Sequence, residues 1–245
     1  MKIQIVSDLH IDENIHTDIR TLVRNDQHAE LLLVAGDTAH GYAHKDWNNA
    51  PGVGKAVRAF EKHAKANWRT VVIGHGNHDF YYRGLPEQPG RVVEACGLKI
   101  LTTPLYSKVT APESECKGWV DLRWTKGRDG NALTAAGYDA MHSQCKEWLD
   151  SELAKSEGKV VVMTHHLPLW ELISENWRGY DSNFWFASDL GELVQKHSGK
   201  IALWVHGHSH DQVDAVHHGV RFTRNPVGYL RYGEGASHSS MVVEV

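Results

Sequence analysis

Histidines, aspartates and one asparagine follow directly after five apolar segments of the chain. The 245 residues include 18 histidines, and histidine is the commonest protein ligand for transition metals. Asp8 and His10 are two positions apart, so in an extended segment their side chains project to the same side. Asp37 follows a glycine at the end of a second apolar run. Each of these residues alone also fits a turn or a helix cap. Their repetition along the chain is what predicts a shared metal site.

The stretch Val71–Asp79 (VVIGHGNHD) shows the pattern most completely. Its β-branched residues predict a short buried strand, and the glycines that follow allow a tight turn. Asn77, His78 and Asp79 are polar and stand where the strand ends, which is where α/β sheets place their ligands. We therefore expect these three side chains at the centre of the site.

Two later segments end in histidines. Adjacent side chains on a strand point to opposite faces. One of His165 and His166 is therefore expected to bind a metal, and the other to lie behind it or to contact substrate. His208 and His210 share a face by the two-residue rule and could reach two neighbouring metals. We expect His206 to support the site by hydrogen bonding.

Together these segments supply two carboxylates, one amide and four imidazoles, all at strand ends. The set comprises Asp8, His10, Asp37, Asn77, His165, His208 and His210. It has too few oxygens for calcium and no thiolate placed for structural zinc, and it suits two cations such as Mn²⁺, Fe or Zn²⁺. Two divalent ions facing only two carboxylates would leave the site about two charges positive. Such a site attracts a hydroxide and an anionic phosphate oxygen, which indicates hydrolysis of phosphate esters.

The segments between these residues predict the elements that must position them. Strands are expected at Met1–Val6, Leu31–Ala35, Ile100–Thr103, Lys159–Met163 and Ile201–Val205, and helices at Val53–Ala66 and Tyr138–Ala154. The strand–strand–helix–strand order at the start favours parallel neighbours. Short antiparallel strands at Gln212–Val216, Val220–Thr223 and Met241–Val245 are expected to close a second sheet. The sequence assigns no role to residues 81–150 and 170–188, and we expect a cap or insertion around 104–135.

Composition narrows the class of protein. A hydrophobic content of 41% and a charged content of 23% are typical of a soluble globular protein, and we expect one domain over residues 1–245. The net charge of −4 gives no bulk attraction for nucleic acid or an anionic membrane. The three cysteines are widely spaced and form no CxxC pair, so neither a disulfide framework nor a zinc knuckle is indicated. With no leader-like or membrane-spanning apolar run, a cytoplasmic location is expected. The oligomeric state is not indicated.

The ordered motifs resemble those of the calcineurin-like metallophosphoesterase superfamily. The family motifs DxH, GD, GNH(D/E), H and GHxH are matched by DLH at 8–10, GD at 36–37, GNHD at 76–79, HH at 165–166 and GHSH at 207–210. The resemblance implies an α/β fold, a four-layer αββα sandwich of two mixed β-sheets with flanking helices, and a dinuclear site at the strand ends. It also implies a phosphoesterase that hydrolyses phosphomonoesters or phosphodiesters by attack of a metal-bridging hydroxide.

Position by position, the resemblance implies a role for each matched residue. The first metal would be held by Asp8, His10 and His210, the second by Asn77, His165 and His208, with Asp37 as the bridge. His78 would donate a proton to the leaving group or stabilise charge in the transition state, and Asp79 would orient and charge His78. Further candidates for contact with substrate are His166, His40, Arg83 and Arg224. The implied cofactors are two divalent or trivalent metal ions, Mn²⁺ or Fe, with Zn²⁺ as a further candidate.

Departures from the family's subgroups bear on the substrate. The stretches GDTAHGY and GNHDFYYRG lack the GDxVDRG and GNHE of protein phosphatases, so a phosphoprotein substrate is not expected. His40 stands where members that resemble cyclic-nucleotide phosphodiesterases carry an aspartate. Arg224–Tyr229 (RNPVGY) is similar to a stretch of bacterial and phage phosphoesterases. A small phosphate ester is the expected substrate. The alternatives are a nuclease-like member, which would need a basic groove, and a non-catalytic metal-binding scaffold.

Overall fold

The structure is a computed structural model that describes residues 1–116, 118–235 and 238–245. Its strands are β1 (Lys2–Val6), β2 (Leu31–Val34), β3 (Thr70–Ile73), β4 (Arg91–Ala95), β5 (Leu98–Thr103), β6 (Val160–Thr164), β7 (Ile201–Val205), β8 (Val213–His217), β9 (Val220–Arg224) and β10 (Val242–Glu244). Its helices are α1 (Pro51–Asn67), α2 (Glu113–Cys116), α3 (Val120–Trp124), α4 (Ala135–Lys155) and α5 (Gly191–His197). The strands form a four-stranded sheet in the order β10-β1-β2-β3 and a six-stranded sheet in the order β4-β5-β6-β7-β9-β8.

Both sheets bring the ends of several parallel strands to one edge. In the first sheet β1, β2 and β3 are parallel, and Val34 of β2 lies opposite both Val6 and Ile73. In the second sheet β6 and β7 are parallel, with Met163 opposite Val205. The segments that follow these strands therefore begin at the same level and lie close together.

Apolar clusters separate four layers. Ile5 of the first sheet and Val161 of the second belong to the cluster between the sheets. Phe60 of α1 packs in the cluster outside the first sheet, and Leu149 of α4 packs in the cluster outside the second. The alternation of strand side chains between two apolar faces explains the continuous hydrophobic runs of the sequence. The structure confirms the four-layer αββα sandwich of two mixed sheets.

The predicted strand at Met241–Val245 forms, but the expectation that it joins the second sheet is wrong. It corresponds to β10, which pairs antiparallel with β1 at the edge of the first sheet, with Val243 opposite Ile3. There Val243 is buried in the cluster between the two sheets. The other two predicted strands correspond to β8 and β9, which form an antiparallel hairpin in the second sheet, and β9 also runs parallel to β7.

Two irregular segments rise above the strand ends. Residues 104–134 connect β5 to α4 and contain the short helices α2 and α3. Residues 165–190 connect β6 to α5 through short 3₁₀ turns. Among the described residues, none of the helices has the length and apolarity that a membrane span requires.

Candidate metal centre

The turns that follow β1, β2 and β7 hold their polar residues in unusual backbone conformations. Asp8, His10, Asp37 and His208 have φ angles of 54°, 40°, 55° and 73°, a left-handed region that costs a residue other than glycine about 1–3 kcal/mol. The turns are also tied to each other: Asp8 N–H donates to the Gly36 carbonyl at 3.0 Å, and His10 N–H donates to the Asp37 carbonyl at 3.0 Å. The side chains of the predicted site are thereby held by backbone rather than by flexible loops.

Glycines leave the space that these side chains occupy. A Cβ atom at Gly76 would lie 2.6 Å from the His165 ring and would collide with Asp37. A Cβ atom at Gly207 would lie 2.9 Å from Asp8 Oδ2. The glycines of the GNHD and GHSH motifs are therefore required for close packing of the polar residues.

One group of metal-capable atoms consists of Asp8, His10 and His210, whose ligand atoms lie within 4.8 Å of one another. His10 Nε2 is 3.2 Å from His210 Nε2, and His210 Nε2 is 3.5 Å from Asp8 Oδ1. Glu234 Oε2 lies 2.5 Å from His210 Nδ1. Because a carboxylate accepts, Nδ1 carries the proton and Nε2 is left to face the group.

A second group consists of Asp37, His165 and His208, again within 4.8 Å. His165 Nδ1 donates to the Ala35 carbonyl at 2.8 Å, so its Nε2 faces Asp37 Oδ2 at 3.2 Å. Asp37 also lies within 4.8 Å of His10. The structure therefore brings together six of the seven predicted ligands, with Asp37 between the two groups. The seventh, Asn77, directly precedes His78, whose backbone N–H donates to Asp37 Oδ1.

Asp121, a residue that the sequence analysis did not single out, orients Asn77. Its Oδ1 accepts from Asn77 Nδ2 at 2.8 Å, and the hydroxyls of Tyr81 and Tyr138 donate to the same carboxylate at 2.5 and 3.2 Å. Asn77 Oδ1 is thereby turned away from Asp121. Asp121 is on α3, in the segment without a regular pattern, and no motif marks it.

Buried polar atoms without hydrogen bonds show that the site fits metal ions. Asn77 Oδ1 is buried and has no hydrogen-bond partner among the described residues, which costs free energy unless another group satisfies it. His165 Nε2 is also buried and, although Asp37 Oδ2 lies 3.2 Å away, makes no well-aligned hydrogen bond there. Both atoms are lone-pair donors, and together with the carboxylates they form the mixed nitrogen and oxygen set that Mn²⁺, Fe and Zn²⁺ accept. The donor set therefore fits the metals that the sequence implied.

The negative charges of the buried carboxylates favour a proton or a metal cation on the histidines beside them. Burial works to lower the pKa of His165, but the charge of Asp37 and its contact with the ring raise this pKa to about 9. Burial also opposes a charge on His210, yet its two carboxylate neighbours raise its pKa to about 10. For His208 burial prevails, and its pKa lies well below the ordinary value. A cation bound at the carboxylates would replace these protons.

His78 is held at the edge of the site by two further side chains. Asp12 Oδ2 lies 2.8 Å from His40 Nδ1, so that nitrogen carries the proton. His40 Nε2 is then the acceptor for His78 Nδ1–H, at 2.9 Å. His78 Nε2 points into the site, 3.4 Å from the Tyr229 hydroxyl and 3.9 Å from Asp37 Oδ2.

Asp79 takes a different position from the one expected. Among the described residues its carboxylate has no hydrogen bond to the His78 ring; it accepts from the backbone N–H groups of Asp37, Thr38 and Gly76 at 2.8, 3.0 and 2.7 Å. Burial, aided by the charge of Asp37, raises the pKa of Asp79 to about 8. The expectation that Asp79 orients His78 is corrected: His40 and Asp12 hold that ring, and Asp79 joins the turns that carry Asp37 and Asn77.

The structure does not offer His166 and Arg224 to a substrate. His166 is fully buried, and its Nε2 lies 2.8 Å from the Tyr138 hydroxyl, so it takes the supporting position that the parity argument allowed. Arg224 is also fully buried and donates to Asp211 Oδ2 at 2.6 Å. Both side chains are therefore occupied by partners within the protein.

Three other predicted residues have mixed outcomes. His40 lines the cavity above the site, whereas Arg83 is not among the described residues that do. His206 is buried, and neither of its ring nitrogens has a hydrogen-bond partner among the described residues. The expected hydrogen-bonding support from His206 is therefore not found.

A cavity of about 680 Å³ opens above the site. We call the seven predicted ligands together with His78 the floor. We call the aromatic residues that line the cavity from the two irregular segments the mouth; they are Trp119, Trp124, Trp177, Tyr180 and Phe186. Trp119 and Trp124 lie in the segment 104–135, for which the sequence analysis expects a cap or insertion.

The two-sheet α/β sandwich brings histidines and aspartates together at its strand ends in groups that could hold metal ions. The chain belongs to the calcineurin-like phosphoesterase family, whose model matches residues 1–212. The family acts on phosphate esters and uses metal ions, and the chain is accordingly a metal-dependent hydrolase. A comparison with curated protein sequences found no match.

Solved structures support the fold. A phosphopantetheinyl hydrolase from Mycobacterium tuberculosis is similar at 17% identity, with 100% of this chain and 95% of that chain covered and a TM-score of 0.69. A dimetal phosphatase from Danio rerio is similar at 13% identity, with 94% and 88% covered and a TM-score of 0.52. At these identities the likeness extends to the fold.

Proposed function

We propose that the protein is a dinuclear metal-dependent phosphoesterase that hydrolyses small phosphate esters at the floor. The observation that carries the proposal is the pair of donor groups that meet at Asp37, each with its ligand atoms within 4.8 Å. The first metal would be held by Asp8, His10 and His210, and the second by Asn77, His165 and His208, with Asp37 shared. We expect Mn²⁺ or Fe at these positions, with Zn²⁺ as a further candidate, in a cytoplasmic protein.

When bound, the two metals would supply the Lewis acidity that polarises the phosphoryl oxygens and activates the nucleophilic water. The chain's own residues aim the donor atoms at the floor. Glu234 and the Ala35 carbonyl each hold one nitrogen of a ligand histidine, and Asp121 turns the Asn77 oxygen into the site. These outer partners fix the orientation of the ligands before metal arrives.

His78 would act on the leaving group. Its Nε2 faces the floor, while its Nδ1–H donates to His40. A proton on Nε2 makes His78 an imidazolium, and the chain of contacts to the Asp12 carboxylate stabilises that charge against burial, which lowers the pKa of His78. His78 would thus deliver its proton to the departing oxygen and be held in position throughout.

Two alternatives have less support. A nuclease would need a basic groove, but Arg231 is the only lysine or arginine among the described residues that line the cavity. A non-catalytic scaffold has no need of a complete donor set, yet six of the seven predicted ligands lie in the donor groups, and Asn77 and His78 line the same cavity.

The experiment is hydrolysis of p-nitrophenyl phosphate and bis-p-nitrophenyl phosphate by the Mn²⁺-reconstituted protein, with metal content measured on the same sample. About two metals per chain and metal-dependent turnover of either ester would support the proposal. A phosphopantetheine ester belongs in the same panel, because the similar fold from Mycobacterium tuberculosis is that of a phosphopantetheinyl hydrolase. A chain that binds no metal, or binds two and hydrolyses no ester of the panel, would contradict the proposal.

A further inference from the structure

The aromatic side chains of the mouth form a wall of the cavity that extends from the floor to solvent. The Phe186 ring centroid lies 4.9 Å from that of His208 on the floor and 6.0 Å from that of Trp119. Trp119 in turn stacks on the buried Trp185, with 4.7 Å between centroids and 6° between planes, so packing supports this part of the wall from behind. It is continuous with the site where the phosphate ester would react.

The outer part of the wall is exposed without an evident structural role. Trp177 and Tyr180 are 54% and 56% exposed, with ring centroids 5.8 Å apart, and both line the cavity. Exposed aromatic pairs cost hydration free energy unless a ligand covers them, and clustered exposed apolar residues mark binding surfaces. Their place beside the reacting site indicates that the ligand is part of the substrate.

The charges of the cavity limit what that substrate carries. Arg231 already pairs with Glu13, with Nη1 2.8 Å from Oε2, and its guanidinium lies 4.7 Å from the Tyr232 ring centroid. The carboxylates that line the cavity are Glu13, Asp37, Asp121, Asp211 and Glu234. Away from the metals, the described lining residues include no lysine or arginine other than this paired Arg231, so the walls provide no unpaired positive charge for a second anionic group and favour an uncharged one.

We propose that the preferred substrates are phosphodiesters in which one ester group is an uncharged aromatic or bulky apolar moiety bound by the mouth. This inference rests on the proposed function and specifies its substrate class. A diester carries a single negative charge at neutral pH, which the floor neutralises, and its second ester group reaches the aromatic wall. A monoester dianion carries a second negative charge and has a single ester group, which is its leaving group, so it has no second group to place on the mouth.

The test compares two diesters that share leaving group and charge: benzyl p-nitrophenyl phosphate and ethyl p-nitrophenyl phosphate. The metal-loaded protein is expected to show a kcat/KM about tenfold higher for the benzyl ester, mainly through a lower KM, because a ring is removed from water on the wall. The W177A/Y180A double variant is expected to reduce this ratio to less than about threefold.

W170A is the matched control, because Trp170 is also a partly exposed tryptophan of the second irregular segment but does not line the cavity. It should keep the wild-type ratio. Thermal unfolding of all three proteins shows whether each variant folds, and metal content shows that the floor is loaded.

The outcomes separate this inference from the proposed function. Equal kcat/KM for the two diesters, or a ratio that survives in the double variant, would overturn the aromatic subsite while hydrolysis itself stands. Faster turnover of p-nitrophenyl phosphate than of both diesters would overturn the preference for a monoanion. If the metal-loaded protein hydrolyses none of these three esters and none of the panel named above, the proposed function itself is contradicted.

Discussion

The floor and the mouth of the cavity are built on opposite physical principles. On the floor Asp8, His10 and His165 are fully buried, and each turn that carries them is fixed by backbone hydrogen bonds. In the mouth Trp177 and Tyr180 are more than half exposed, at the ends of short 3₁₀ turns. A buried polar site tolerates little change, because each lost partner leaves another group unsatisfied. A substitution in the exposed apolar mouth is expected to change the affinity for substrate gradually. The floor therefore suits catalysis, and the mouth suits substrate selectivity.

The contrast between floor and mouth requires that removing one ligand of the floor reduces metal binding and abolishes activity. Asp37→Ala removes a carboxylate of the second donor group that also lies within 4.8 Å of His10 of the first. Because the proposed function assigns Asp37 to both metals, activity is expected to fall below detection with the loss of at least one metal per chain. The measurements are kcat/KM and metal content. Asp26→Ala is the control, since Asp26 is an exposed aspartate that pairs with Arg24. A fully active Asp37→Ala protein would contradict the shared site.

His78→Ala tests a floor residue that is not a predicted ligand. Loss of a proton donor typically costs about 10²–10⁴ in rate, so kcat for a phenyl ester, whose leaving group needs a proton, should fall by that factor while metal content stays at the wild-type level. Loss of metal together with activity would show that His78 acts on the site's assembly and not on the leaving group.

The floor should also bind metal in competition with protons. The pKa values of about 9 for His165 and about 10 for His210 are raised above 6.5, so below pH 9 both rings hold protons that metal must displace. Metal affinity should therefore weaken as pH falls, by roughly hundredfold per unit for two displaced protons. Competition with a chromophoric chelator at pH 6, 7 and 8 measures this slope, and a flat profile would contradict it.

A smaller loss of rate is expected when a residue that only positions a floor side chain is removed. His40→Ala removes the acceptor of His78 Nδ1–H, and the rate should fall about tenfold for phenyl esters but less than about threefold for p-nitrophenyl esters, whose leaving group needs little protonation. His40→Gln, which retains an acceptor oxygen, should recover part of the loss. His44→Ala, at a loop histidine outside the cavity lining, is the control. Equal losses on both esters would mean a purely structural role.

The smallest effect should come from the mouth. Trp177→Ala is expected to change the free energy of unfolding by less than about 0.5 kcal/mol, as exposed substitutions usually do. Trp204→Ala, in the buried core of the second sheet, should cost about 3–5 kcal/mol. Urea unfolding of both variants measures the contrast. A large loss for Trp177→Ala would mean that the mouth is structural.

The sequence predicted the floor because each ligand directly follows an apolar strand, and parallel strands bring their ends to one edge. It did not predict the residues that orient the ligands. Asp121 lies 44 positions from Asn77, and Glu234 lies 24 positions from His210. Neither follows a strand that a periodic pattern marks. Their contacts depend on how irregular segments fold over the sheet, which local spacing does not encode.

The same reasoning explains the misplaced last strand. A three-residue strand carries an alternating pattern but no information about which sheet edge it joins. Burial of Val243 between the sheets decides that question. The mouth was missed for a related reason, because tryptophans in irregular segments are equally compatible with core packing.

The left-handed backbone at Asp8, His10, Asp37 and His208 has a consequence for the lifetime of the protein. Each of these conformations opposes folding by about 1–3 kcal/mol, and that cost is a large part of an ordinary domain's net stability. Metal that binds only the folded chain would offset it by mass action. The chain should therefore resist heat and proteases when loaded and yield to them when stripped, so that its abundance in the cell would follow the supply of metal.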